Sequence, residues 1–482
     1  MKQAIKVVED IFFNTSNRLY NLALRFRPLP SETGEGLSTR ESNYLPNQLS
    51  SFLQFLAEVD STKFLRLQWL DYTATLRVRI IPVKQAVQVF RAGKHIGVTK
   101  AVFGLSQVDS LAAGFGPTGE HKLHPCFDSL RRGGQYGYAT VQGEFRENNG
   151  EPVPTCPRTV LRGLVEKAKL KGIEFLVGFE IEIVFMTWTE VDGAVEYRHK
   201  PENQGHAWST AVSLHDKEMM HVVENAIDRL ERAGIDLQQV HPESSPGQWE
   251  FILPPLPPVA AVDTLLAARD IISSAAAEYR LRATVVPKPT PGACGTGAHV
   301  HISLTPADKH EAFYAGVLQH LQAITAFTYS NVASYERAID SVWAGGTWVA
   351  WGTQNRETPL RKIEDSHWEM KCLDGLANNY LALGAILGAG IKGVLDGEHL
   401  TMADCQVDPA TMDKGQRKEM GIEHQLPKSI YESLSCLRED KALREIMGEG
   451  VIEAYLAVKK AETEMLNAMG PDKMRHWLIE RY

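Results

Sequence analysis

The sequence has no CxxC pair and no cysteine cluster. Its six cysteines (Cys126, Cys156, Cys294, Cys372, Cys405 and Cys436) lie at least thirty positions apart in 482 residues. That spacing excludes a disulfide scaffold and predicts reduced thiols. Long hydrophobic runs are also missing: the longest apolar stretch, Tyr380 to Ile391, is about twelve residues, holds three glycines and ends at Lys392, too short to span a bilayer. At the N-terminus Lys2, Lys6, Glu9 and Asp10 break up the apolar residues, and no apolar run leads to a small-residue cleavage site, so a cytoplasmic chain is expected. Nor is there an excess of positive charge. Lys plus Arg is 51 against 59 for Asp plus Glu, a net charge of −8, which leaves no electrostatic reason to expect nucleic acid or an anionic membrane as partner. No short repeat or low-complexity run is present. What remains is 44% hydrophobic and 23% charged, the composition of a globular protein, and at roughly 150 residues per domain the length predicts two or three domains.

Residues 1–48 read as an N-terminal helical extension and linker. An apolar-patterned segment at about 5–24 predicts a short helix, and Arg25 to Ser50 carries Pro28, Pro30, Gly34, Gly36 and Pro46 among Ser, Thr and Glu, a linker composition. A small β-rich domain is expected at 49–150. Within it "FLRLQWLDYTATLRVRIIPV", Phe64 to Val83, alternates with a break at Asp71 to Thr75 that suits a hairpin, and "RENNGEPVP" marks its end. A larger domain at 151–482 opens with a helix at Arg158–Lys171 behind Pro157. There Met219, Val222, Val223, Ala226, Ile227 and Leu230 follow helical spacing, with Gly234 at the C-cap. Asp236–Val240 and Gln248–Leu253 read as a hairpin around "PESSPG", and the last fifty residues, from Ile430, as a charged helical segment.

"FLVGFEIEIVF", Phe175 to Phe185, is a strand pattern in which Glu180 and Glu182 share one face and Phe179, Ile181 and Ile183 the other. Alone, that pattern is a solvated polar face. Glu250 in "GQWEFIL" sits on another strand, Glu243 precedes the turn into it, and His299 and His301 in "GTGAHVHISL" repeat the two-residue spacing. Like charges converging at about 4 Å repel by several kcal/mol at an effective dielectric near 20, so such a cluster requires cations. Carboxylates with occasional imidazole suit Mg²⁺ or Mn²⁺ rather than a structural zinc, which asks for thiolates. Adjacency of these strands does not follow from the sequence by itself.

The order of "GFEIEIVF", "HPESSPGQWEF", "KPTPGACGTGAHVHISL", "NRETPLRK" and "EMKCLDGLANNYLALGAILGAG" resembles glutamine synthetase of the bacterial type I-like branch, from about residue 50 onward. The resemblance implies an α+β fold: a small N-terminal β-grasp domain and a large catalytic domain. In the latter a curved antiparallel sheet with flanking helices forms a funnel, with ATP at one end and glutamate at the other. It implies that Glu182, Glu243 and Glu250 hold a first divalent ion and Glu180, His299 and Glu369 a second, with Glu182 also facing substrate. His301 and Ser303 fall to the nucleotide, Arg356 and Arg361 to phosphate, for which a guanidinium fork is suited. Arg337 in "ASYERA" resembles the arginine that holds the substrate carboxylate, and Gly295 opens the histidine strand. The implied chemistry is activation of a γ-carboxylate as an acyl phosphate by ATP, then displacement of phosphate by an amine. Stacked-ring homo-oligomers are implied as well.

The pattern departs from the family in places. The Asn of NSYKR is Ala333, Cys294 stands where an Asn is usual, and Lys371 stands where a second substrate-binding arginine follows Glu369, keeping that role's charge but not its bidentate geometry. The DGSS aspartate that serves ammonia has no clear counterpart in "AVFGLSQVDSLAAGFG", where Asp109 is the only carboxylate. Trp343 stands where the family carries its proton-accepting glutamate, and is assigned to the amine site. Three readings follow: an ATP-dependent ligase joining a glutamate-like acid to an amine, a true glutamine synthetase, and a non-catalytic structural or signalling member. A register slip that brings Asp340 or Asp109 into the ammonia role belongs to the second.

Overall fold

The computed structural model of the chain describes residues 40–192, 194–200 and 205–482. The helix expected at 5–24 lies outside the described residues. A helix, Arg40–Glu58, runs through the second half of the stretch expected as linker. Its latter part explains the difference: Leu49, Phe52, Leu53, Phe55 and Leu56 recur at helical spacing, and Phe52 is fully buried, stacking on Phe127 with centroids 5.0 Å apart.

β1 (Phe64–Leu70) and β2 (Leu76–Pro82) form the predicted hairpin. The turn is set by Asp71, whose buried Oδ1 accepts from the Thr73 amide, the Thr73 hydroxyl and the Thr75 amide at 2.9, 2.7 and 2.9 Å, a local side-chain bond that competes with strand pairing. β3 (Ile96–Thr99), β4 (Glu120–Arg132) and β5 (Tyr138–Arg146) complete a sheet of order β2-β1-β5-β4-β3. β1 and β5 run parallel, and the helix Val83–Arg91 packs against β1 and β2. This is the β-grasp arrangement.

The second sheet is built around β6 (Glu174–Val191). Its other strands are β7 (Ala194–His199), β8 (Gln239–Pro242), β9 (Gln248–Ile252), β10 (Leu281–Thr284), β11 (Val300–Thr305), β12 (Trp351–Thr353), β13 (Leu360–Glu364) and β14 (His367–Met370). The order is β12-β13-β14-β11-β6-β9-β8, with β7 and β10 also paired to β6, and among the described residues only β12 and β13 of this sheet run parallel. The strand expected at Asp236 begins three residues later and carries on to Pro242.

Alternation on this sheet separates core from chemistry. Phe179, Ile181, Ile183, Ile302, Trp368 and Met370 are each 1% exposed or less, and burial of each such side chain contributes about 1.5–3 kcal/mol. On that face Trp368 stacks on Tyr314 at 4.1 Å, and the Tyr314 hydroxyl donates to the Ile302 carbonyl at 2.9 Å. The glycine-bearing run from Tyr380 lies in the helix Asn379–Asp396, packed against the helix His310–Gln319. A Cβ on Gly316 would stand 2.5 Å from the Ala389 carbonyl oxygen, so glycine permits that approach. Among the described residues no helix is long and apolar enough to cross a membrane. From Ile430 the chain forms four helices, Ile430–Glu439, Lys441–Met447, Glu449–Asn467 and Pro471–Arg481. The breaks at Gly448 and Gly470 have φ of 91° and 78°.

Candidate active site

The polar face of the second sheet gathers the carboxylates and imidazoles. Register places Glu182 of β6 opposite Glu250 of β9, and His301 of β11 between Gly178 of β6 and Glu369 of β14. His299 sits one residue before β11, its carbonyl accepting from the Glu180 amide at 3.0 Å. Its Nδ1 lies 2.9 Å from Glu180 Oε2, 3.2 Å from Glu369 Oε1 and 3.6 Å from Glu182 Oε1. His301 Nε2 lies 2.9 Å from Glu180 Oε1, and its Nδ1 is 2.8 Å from His367 Nε2.

Three overlapping groups present ligand atoms within 4.8 Å of one another: Glu180, Glu250 and His299; Glu180, His301 and Glu369; and His241, Glu243 and Glu250. All six carboxylate and histidine positions expected as ligands are at this face, but the grouping differs from the expected division. Glu182 stands in none of the three trios; its Oε2 accepts from Gln248 Nε2 at 2.6 Å and the Gly297 amide at 2.7 Å, while its Oε1 lies 3.6 Å from His299 Nδ1. His301, expected on the nucleotide, belongs to a trio. His241, not singled out in the sequence, enters beside Glu250, with Nε2 to Oε2 at 2.8 Å. The donors are oxygen and imidazole nitrogen throughout, without a thiolate, a set that fits Mg²⁺ or Mn²⁺.

Electrostatics within the cluster follow from this geometry. Burial pushes the Glu180 carboxyl up, but hydrogen bonds from His299 and His301 outweigh it and hold the group well below the usual range. Glu369 behaves alike: burial raises it, while Lys371 and the two histidines lower it further. Burial and Lys371 lower His299, yet bonds to Glu180 and Glu369 and the charge of Glu182 carry it up to about 9. Arg337 Nη2, 3.3 Å from His299 Nε2, opposes that charge; three carboxylates within 3.6 Å outweigh it. The bond to Glu250 raises His241 to about 9, whereas burial and the neighbouring Glu180 and Glu182 push Glu250 up to about 7.

The cationic side chains line the same face. Arg361 Nη1 bonds Glu369 Oε2 at 3.0 Å and Nη2 bonds Gln354 Oε1 at 2.8 Å. Lys371 is buried, with Nζ 3.2 Å from Glu369 Oε1. Arg337, 3% exposed, directs Nη1 to Tyr329 Oη and the Lys371 carbonyl, both at 3.3 Å, and its buried Nε has no partner among the described residues. Gly295 packs on it, since a Cβ there would stand 2.8 Å from Arg337 Cβ. Gly297 is more confined: its Cβ would stand 2.5 Å from His299 Nε2 and 2.8 Å from Glu182 Oε1. Ser303 follows His301 on the same face of β11, half-buried. Arg356 is exposed, and its carbonyl accepts from the Gly345 amide at 3.2 Å. Trp343 is 60% exposed, with its ring 6.3 Å from that of His206, which reaches Glu243 at 3.4 Å. Both carboxylates offered for the ammonia role have other partners. Asp109 pairs with Arg77 at 3.1 Å, and Asp340 accepts from the Thr347 amide and hydroxyl at 2.7 and 2.9 Å.

Known proteins share this architecture. The model of the glutamine synthetase catalytic domain matches residues 154–482. Protein fluG of Emericella nidulans is 41% identical across the whole chain, which spans 55% of that protein's length. Gamma-glutamylpolyamine synthetase GlnA3 of Streptomyces coelicolor is 30% identical over 84% of the chain and 91% of its own length. Among solved structures, a GmaS/ADP complex superposes with a TM-score of 0.75 at 20% identity, covering 89% of this chain and 99% of that one, which bears on the fold. With the catalytic-domain match covering more than half its length and the carboxylate-lined sheet in place, the chain belongs to the glutamine synthetase family.

Proposed function

We propose that the chain is an ATP-dependent carbon–nitrogen ligase that activates a glutamate-like γ-carboxylate as an acyl phosphate and joins it to an amine. The observation that carries this reading is the set of three overlapping oxygen and imidazole trios flanked by Arg361, Lys371 and Arg337. Glu180, Glu250, His299, His301, Glu369, His241 and Glu243 would hold divalent ions, which supply charge neutralisation to phosphoryl transfer when bound. Glu182 is positioned by Gln248 and Gly297 to orient what binds beside it. Arg337 is buried with an unpaired Nε and suits a carboxylate of the acid. Arg356 and Arg361 supply guanidinium groups for phosphate oxygens, with His301 and Ser303 on β11, one strand beyond β14, toward the nucleotide.

An amine other than ammonia is favoured by Trp343, whose exposed indole offers apolar contact, and by the commitment of Asp109 and Asp340 to other partners. That GlnA3 is named for a γ-glutamylpolyamine product agrees with it. The test is ATP-dependent phosphate release by the purified chain with Mg²⁺ or Mn²⁺, glutamate and related acids being crossed against ammonia and a panel of primary amines. Amine-dependent release exceeding that with ammonia supports the reading; faster turnover of ammonia than of every amine replaces it with glutamine synthetase proper.

A further inference from the structure

An amine reaches such a site as an ammonium ion, and two things must then be supplied: an anion to hold the cation and an acceptor for its proton. The carboxylates of the sheet are committed. Glu180 and Glu369 are bonded to histidine, arginine and lysine, Glu182 to Gln248 and Gly297, Glu250 to His241, and Glu243 accepts from the Ser244 amide at 3.1 Å and reaches His206 at 3.4 Å. One further carboxylate adjoins the site and stands outside that network, Glu357, in the connection between β12 and β13.

Glu357 faces the loop that carries Trp343. In this loop Ser341, Trp343, Gly345 and Gly346 all have left-handed φ, 61°, 61°, 90° and 64°, a conformation uncommon for a side chain as bulky as tryptophan. The Glu357 carboxylate holds it there: Oε1 accepts from the Trp343 amide at 2.8 Å, and the Ser341 amide also faces the group. Gly346 lies tight under the same residue, since its Cβ would stand 2.5 Å from the Glu357 carbonyl oxygen. The loop lies against the sheet cluster on two sides. At one, the Trp343 ring faces His206, which reaches Glu243. At the other, Gly345 abuts Lys371, with a Cβ on it 3.0 Å from Lys371 Cβ, and Lys371 bonds Glu369. Glu357 Oε2 is buried and has no hydrogen-bond donor among the described residues, a costly state for a carboxylate unless a cationic group completes it. Burial, and the facing charges of Asp408 and Asp340, raise its affinity for a proton, while the two loop amides lower it.

We infer that Glu357 is the residue that binds the ammonium group of the amine substrate and accepts its proton, the indole of Trp343 covering the adjoining apolar part. This rests on the ligase reading. In the step, R–NH₃⁺ transfers one proton to the Glu357 carboxylate, and the freed lone pair attacks the acyl carbon to form the C–N bond. The C–O bond to phosphate breaks, inorganic phosphate leaves with that electron pair, and the second nitrogen proton is lost to phosphate or solvent as the amide forms.

Glu357→Gln tests this, because glutamine retains an oxygen acceptor for the Trp343 amide and removes the charge and the basic site. The full chain, with ATP, Mg²⁺ and glutamate, is assayed against ethylamine, n-butylamine and putrescine, which are cations at pH 7, and against hydroxylamine, which is mostly neutral there. The substitution should lower kcat/KM for the alkyl amines by about 10- to 100-fold while leaving hydroxylamine and the KM for ATP within about twofold of wild type. Glu357→Asp, which keeps the charge, should recover part of the loss. An equal fall for hydroxylamine and the alkyl amines, or no fall for any, overturns the assignment with the ligase reading intact. Wild-type protein that makes no glutamyl product from any of the four overturns the ligase reading and this inference together.

Discussion

Divalent-ion binding to this chain should be coupled to proton release, and the structure fixes the sign. In the ion-free cluster His299 is carried to about 9 by Glu180, Glu369 and Glu182 despite burial and Lys371, and His241 is raised to about 9 by Glu250. Both are therefore protonated at pH 7, and an ion that takes their nitrogens must displace those protons. For His299, deprotonation at pH 7 lies two pH units below its value of about 9, which costs roughly 2.7 kcal/mol, or about 100-fold in apparent affinity. His241 adds in the same direction, by less because its ring is partly exposed. Affinity for Mn²⁺ should then rise with pH between about 6.5 and 9, by about tenfold per unit where one proton is released. The linkage for folding runs the other way in the ion-free chain: the raised His299 value adds stability below about 6.5, lost as pH rises through about 9. Calorimetric titration with Mn²⁺ in two buffers of different ionisation enthalpy measures both affinity and protons released. An affinity that is flat from pH 6.5 to 8.5, with no proton released, would refute the assignment of the histidines as ion ligands.

Two substitutions probe other parts of the account. Arg337→Lys keeps the charge but not the fork, and should raise the KM for the acid by about ten- to a hundredfold with the KM for ATP little changed; steady-state kinetics with each substrate varied would count against the acid-binding role if both constants rose together. Arg158, 8% exposed, bridges Glu144 at 2.6 Å and Asp263 at 2.8 Å; Glu144 also pairs with Arg162 at 3.0 Å, so Arg158→Ala leaves the buried Asp263 without its cation and should cost about 3–5 kcal/mol. Urea unfolding followed by circular dichroism reads that loss, and a change under about 1 kcal/mol would contradict it.

Much of the site was legible because a strand alternates. Glu180 and Glu182, His299 and His301, and Glu250 each share a face with a partner two residues away or across a ladder, and two-residue spacing carries that information without a structure. His241 and Glu243 have the same spacing and obey the same rule; the strand expected from the sequence, Asp236–Val240, stops one residue short of His241, whereas β8 runs to Pro242. Gly297 lies outside any strand and carries no such signal, and Gln248, two residues before Glu250 on β9, has no charge to mark it. Their roles arise from close approach between segments far apart in sequence, a Cβ clash at 2.5 Å in one case and a 2.6 Å bond across 66 residues in the other. Glu357 is similar, since its bond to the Trp343 amide joins two irregular loops, and no period exists in either. At the N-terminal side, proline and glycine at positions 28–46 outweighed the apolar spacing that makes Arg40–Glu58 helical. Local breakers are a weaker guide where a following face is buried in tertiary contact.

The claim that the acid is activated as an acyl phosphate before the amine attacks is tested most directly by isotope transfer. Glutamate labelled with ¹⁸O in its γ-carboxylate is turned over with ATP, Mg²⁺ and a primary amine, and the released phosphate and the organic product are analysed by mass spectrometry. One ¹⁸O in each phosphate, with the γ-glutamyl amide retaining the other, is the predicted result. Phosphate that carries no label, or release of phosphate without amide, would contradict it.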